Sequence, residues 1–141
     1  MTQKTRVFDG LQSRIWAAAW GSNFRADGRV SESNVGQMIA AVVSDLAQSR
    51  PLVALCDYRG ADMGATARRV VIAHKRSGME APWPTVLVVQ RDQLEVWSHY
   101  AWLQAQLGNL KAVFTDMAPA ERWARDMAAL QAAQARFRSR G

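Results

Sequence analysis

Three short apolar runs, each followed by a stretch with helical spacing, most constrain what this chain can become. They are residues 52–56 (LVALC), 85–89 (TVLVV) and 111–114 (KAVF). Apolar runs this short, without alternation, mark strands that are covered on both faces. Between them, apolar residues recur at i, i+3, i+4 and i+7. Strands alternating with amphipathic helices imply a parallel or mostly parallel sheet with right-handed crossovers. The whole reading depends on the three runs lying side by side and pointing the same way.

The first helix pattern places Val35, Met38, Ile39, Val42, Val43 and Leu46 on one face. Ser31 or Ser33 is positioned to cap its start, and Pro51 ends it. A second helix is expected over residues 66–77, with Ala67, Val70, Val71 and His74 inward. A third covers residues 92–107, with Val96, Tyr100, Leu103 and Leu107 as its buried stripe. Asp116 can cap a long final helix whose inner face holds Ala120, Trp123, Met127 and Leu130. Upstream, residues 6–8 and 15–20 read as strands joined by Asp9-Gly10 turn chemistry. Residues 21–29 and 57–64, rich in glycine and polar groups, read as loops. The expected class is α/β, with about five strands in a mixed, mostly parallel sheet and about four helices. No repeat or low-complexity linker divides the 141 residues, so a single domain is expected over residues 1–141, with a basic extension from about residue 131.

Composition narrows the function classes. Hydrophobic residues make up 49% of the chain, enough for a core. No apolar run approaches the roughly 18 residues of a membrane span. Residues 1–10 are polar where a secretory signal needs an apolar block. Cys56 is the one cysteine, so no intramolecular disulfide can form and too few thiolates exist for a cysteine-based zinc site. His74 and His99 lack ligand-spaced neighbours, and no phosphate-cradling glycine loop is present. A reducing cytoplasm is the expected setting, with no metal, no cofactor and no enzymatic activity. The net charge is +6, and Arg136, Arg138 and Arg140 near the C-terminus account for half of it. The body is therefore only mildly basic, and no specific nucleic-acid site is expected. Weak association through the arginine tail stays open as an alternative.

Several local motifs carry a family resemblance. Gly28-Arg29-Val30-Ser31 leads into the first helix. Residues 52–57 form an apolar strand ending in aspartate, and Val113-Phe114-Thr115-Asp116 precedes Ala120 and Trp123. In this order they resemble the STAS superfamily, the anti-sigma-factor antagonist fold, and within it the SpoIIAA-like branch of small bacterial proteins. The pattern spans residues 14–130. The resemblance implies a non-catalytic regulatory module that binds a protein partner or a small ligand. Its side bordering on lipid carriers implies an alternative, a carrier with an apolar cavity. One motif departs from the family. Where phosphorylated antagonists carry Asp-Ser-Ser-Gly, this chain reads Ala65-Thr66-Ala67-Arg68. Thr66 keeps a hydroxyl, but the phosphorylation switch is not carried over.

Candidate binding residues follow from placement. Ligands in open parallel sheets collect beyond the carboxyl ends of the strands. Those ends carry Asp57, Tyr58 and Arg59, then Arg91, then Asp116, a rim able to hold a polar ligand. An enzyme working through that rim is a further alternative, and it would need a perturbed carboxylate in a cleft. The second expected helix offers Arg68 and Arg69, with Lys75 and Arg76 seven residues on, as a basic face for an acidic partner. Trp102 points away from the expected stripe of its helix, and Trp83 lies in a Pro-Trp-Pro loop. Both are candidate partner anchors. Trp16, Trp20 and Trp123 fit core positions.

Overall fold

Asp9 and Gly10 both take positive φ, 45° and 83°, the backbone of a tight two-residue hairpin turn. They join β1 (Lys4–Phe8) to β2 (Leu11–Ala18) in antiparallel register. This computed structural model describes residues 3–62, Ile72 and residues 83–139. After β2 the chain turns back as β3 (Gly21–Arg29), rises through α1 (Glu32–Ser49) and enters β4 (Ala54–Asp62). Later come β5 (Thr85–Val88), a short 3-10 turn at Arg91–Gln93, α2 (Leu94–Gln106), β6 (Lys111–Phe114) and α3 (Met117–Ser139). The six strands lie in sequence order, β1-β2-β3-β4-β5-β6. The β1–β2 and β2–β3 pairs are antiparallel, and β3 through β6 run parallel. The three apolar runs are therefore neighbours with one direction, as expected.

Alternate residues of β4 and β5 feed two cores. Ala54, Cys56, Tyr58, Leu87 and Val89 join Leu11, Phe24 and Ala26 beneath α1 and the inner side of α2. Val53, Leu55, Val86 and Val88 join Trp20 beneath α3. Ser31 caps α1 through a capping box with Asn34, and Arg50 in the left-handed conformation closes its other end. The expected apolar face of α1 is the buried one, with Val43 at its margin. Asp45 ties the same helix to the edge strand, accepting from Lys4 Nζ at 2.8 Å and from Arg6 Nε and Nη2 at 3.0 Å.

Four expectations are corrected. Residues 21–29 form β3, not a loop, which makes six strands rather than five. Ser22, Phe24 and Ala26 are buried while Asn23, Arg25 and Asp27 face the other way. That is a period-two pattern whose outward positions happen to be polar. Gly28, at φ 119°, lets the strand close on the hairpin turn, because a Cβ there would collide with the Gly10 carbonyl. Residues 57–62 continue β4 rather than forming a loop, since β3 pairs with them as far as Arg29↔Asp62.

The buried stripe of α2 is Trp97, Tyr100 and Gln104, not Val96, Leu103 and Leu107. Stacking of Trp97 on Tyr58 of β4 turns this face of the helix inward. Gln104 takes an inner position because it builds the helix end, accepting from Asn109 Nδ2 at 3.1 Å and from the Asn109 amide at 2.9 Å. In α3 the buried residues are Ala120, Ala124 and Ala128. Trp123 and Met127 flank them half-buried, and Leu130 is exposed. An alanine stripe lets the helix approach the sheet closely, so the large side chains sit beside the contact rather than in it. Three whole α-helices occur among the described residues; of the fourth expected helix, over residues 66–77, Ile72 alone is described and is helical, and the rest, His74 included, lies outside them.

Candidate functional site

The polar centre of the molecule is assembled on β2, β3 and β4, on the sheet face opposite α1. Register sets Arg14 directly across from Arg25, and Arg25 across from Asp57. Asp57 lies deep, with 4% of its side chain exposed. Its carboxylate accepts from the Arg59 backbone amide, Arg59 Nε and Arg59 Nη2, each at 3.0 Å, and from Arg25 Nη1 at 3.5 Å. Asp27 accepts from Arg25 Nε at 3.0 Å and from Arg14 Nη2 at 3.2 Å. The result is one chain of charges, Arg14–Asp27–Arg25–Asp57–Arg59.

Local backbone makes this possible. The β3–β4 register shifts between Arg25 and Asp27, a bulge that brings the two aspartates onto the same arginine. Gly60 then leaves room for the Asp27 carboxylate, which a Cβ at that position would meet. The Gln90 side chain donates to the Arg59 carbonyl at 2.8 Å, linking the end of β5 to the site. Asp116, just past β6, raises the Arg59 pKa through its charge, after the larger effect of the Asp57 hydrogen bonds. Burial pushes the Asp27 carboxyl up, but hydrogen bonds and charge from Arg25 and Arg14 outweigh it and hold the pKa below 3.8.

The same balance applies to Asp45, where Arg6 and Lys4 overcome desolvation. For a depressed carboxylate the stabilisation is complete above the unfolded value and is lost as pH falls through the folded one. The melting temperature is therefore expected to stay level down to about pH 5 and to drop below about pH 4, where free carboxylates protonate. Asp45→Asn should flatten that drop. A profile unchanged down to about pH 2.5 contradicts the assignment.

Of the expected rim residues, Arg59 is bonded to the buried Asp57, and the charge of Asp116 acts on Arg59. Arg91 is exposed at the start of the 3-10 turn. Tyr58 is not on the rim. It is buried in the core, stacked on Trp97 with ring centroids 5.1 Å apart and edge-on to Phe24 at 5.7 Å. Burial lifts its phenol pKa well above 10.0, and likewise pushes the Cys56 thiol up to about 12. Trp102 is 59% exposed and stacks on His99. Trp83 is half-buried against the α1-side core. Trp20 is buried as expected, whereas Trp16 is half-buried on the sheet face opposite α1, outside both cores. Thr66, Arg68 and Arg69, with Lys75 and Arg76, lie outside the described residues. Arg14, Arg25 and Asp27 were not among the sequence candidates. The alternation of Ser22, Phe24 and Ala26 was the signal that could have found them.

The whole fold can be matched to a solved one. The crystal structure of an anti-sigma factor antagonist from Mycobacterium paratuberculosis superposes with a TM-score of 0.54 at 15% identity, covering 83% of this chain and 96% of that one. The fold is the anti-sigma factor antagonist fold. No protein-family model matches the chain, and no curated protein does. In this fold the charged layer spans β2 to β4 and is level with the carboxyl end of β5, and the exposed Trp102 lies on α2. Among the described residues no helix is long and apolar enough to cross a membrane, and no group of His, Cys, Asp and Glu is arranged to hold a metal ion.

Proposed function

We propose that this chain is a non-catalytic regulatory module of the cytoplasm that works by binding a protein partner through the charged strand ends. The observation that carries the reading is the state of Asp57. Asp57 lies inside β4 but level with the carboxyl end of β5, where a reacting group of an α/β sheet would be sought, and it is buried and already bonded to Arg59 and Arg25. Such a carboxylate is committed to positioning guanidinium groups. The resulting surface is rigid and charged, suited to recognition. The likeness in fold to an anti-sigma factor antagonist supports the same reading. Arg59, Arg91 and Asp116 form its contact rim, with Trp102 as an outlying anchor.

The test is affinity capture from native lysate on immobilised wild-type and Arg59→Ala/Arg91→Ala chains, compared by quantitative mass spectrometry. A protein retained in near-stoichiometric amount by the wild type, and about tenfold less by the variant, is the expected result. Equal retention by both chains removes the rim. No stoichiometric partner at all removes the interaction reading.

A further inference from the structure

We infer that the sheet face opposite α1, across β1 to β4, is a docking surface for an acidic protein segment. The inference rests on the interaction reading and names the chemistry of the partner. Register places Thr5, Arg14, Arg25 and Asp57 in one row across four strands. The row on one side is Val7, Gln12 and Asp27, and the row on the other holds Trp16, Asn23 and Leu55. Among the described residues α3 is the helix on this face, and it packs on Leu55, Val86 and Val88 of β4 and β5. The β1–β3 part faces solvent, and Val7 is 71% exposed.

The arrangement of charge on this face is unusual for a merely solvated surface. Arg14 and Arg25 are direct cross-strand neighbours, a like-charge pairing that by itself destabilises a sheet. Asp27 bridges them at nearly their own depth, while Asp57 lies beneath. Asp57 is 4% exposed and Asp27 31%, against 35%, 36% and 37% for Arg14, Arg25 and Arg59. Asp57 is spent from below and Asp27 from between the two arginines, and the outer edges of the guanidinium groups remain. Arg14 Nη1, Arg25 Nη2 and Arg59 Nη1 have no acceptor among the described residues. Across β2 to β4 three guanidiniums stand against two carboxylates. Asp116 past β6 adds a weaker, purely coulombic influence at the Arg59 end, so the positive excess lies toward Arg14 and Arg25 and the complementary surface there is one of carboxylates.

Two features favour a protein segment. The arginines are already immobilised by their aspartates, so binding costs little side-chain entropy. Thr5, Gln12, Asn23, Val7 and Trp16 surround them, the mixture of polar rim and apolar contact typical of protein interfaces. Trp16 is one half-buried aromatic, whereas binding of single-stranded nucleic acid relies on several aromatic rings that stack successive bases.

The experiment uses fluorescein-labelled decaglutamate and the full chain, read by fluorescence anisotropy at low ionic strength. Thr5→Glu puts a carboxylate opposite Arg14 without opening the core, and Arg14→Gln/Arg25→Gln removes the row. Each is expected to weaken peptide binding about tenfold or more, with melting temperature confirming the fold. Added salt should weaken the wild-type complex. Arg136→Gln/Arg138→Gln should leave it unchanged. Failure of the peptide to bind overturns the inference. So does loss in the tail variant alone, or tighter binding of a ten-nucleotide oligothymidylate than of the peptide. If a captured partner is lost with Arg59→Ala/Arg91→Ala but unaffected by Thr5→Glu and Arg14→Gln/Arg25→Gln, this face is wrong and the interaction module stands.

Discussion

Trp97→Ala is expected to destabilise the protein by about 3–5 kcal/mol, the range for truncating a buried large aromatic. Trp97 has no exposed surface. Its ring is stacked on Tyr58 at 5.1 Å with 12° between planes, and Tyr100 meets it edge-on at 5.8 Å. Tyr58 in turn meets Phe24 of β3 edge-on. The indole thus connects α2 to the two central strands, and its loss removes aromatic geometry as well as buried area. A typical domain has about 5–15 kcal/mol of total stability, so the variant should lose much of its cooperative transition. Urea denaturation followed by circular dichroism measures it. Trp102→Ala on the outer face of the same helix should shift stability by no more than about 0.5 kcal/mol. If both variants behave alike, α2 is not packed in the phase described.

Asp57→Asn should be the most damaging change within the charged layer. Removing one partner of a fully buried ion pair costs about 3–5 kcal/mol. Here the two arginines are more than a third exposed and can regain water, which reduces the expected cost to about 1–3 kcal/mol. The asparagine also brings an amide N–H₂ against Arg59 and Arg25 where an acceptor was needed. Adding Arg59→Gln should cost less than the sum of the two single changes, because they break the same interaction. Chemical denaturation of the two single variants and the double completes the cycle. Strict additivity would mean that Asp57 and Arg59 do not support each other.

Both predictions fall where the sequence was hard to read. The α1 face, with Met38, Ile39, Val42 and Leu46, was legible because eighteen residues repeat one period behind a capping serine. The apolar runs of β4, β5 and β6 were legible because few other structures bury such runs on both sides. In β3 the polar Asn23, Arg25 and Asp27 outnumber the bulky apolar residues, and composition then resembles a loop. The rim was half legible for the same reason. Asp57 and Arg59 come just after the apolar run that marks β4, and Asp116 follows β6, whereas Arg14, Arg25 and Asp27 belong to strands whose outer face carries no apolar signal. Tyr58 was misplaced because extending β4 by several residues turns a rim position into an inward one.

By itself, then, the sequence determined the alternation of strands and helices, the parallel direction of the central strands and the inner face of α1. Each of these follows from periodicity, a property of neighbours along the chain. Tertiary structure alone decided that Trp97 rather than Leu107 enters the core, that α3 approaches on alanines, and that three arginines share two aspartates across β2, β3 and β4. Those outcomes depend on helix phase and strand register. Both are set by contacts between residues far apart in sequence, where no local pattern reaches.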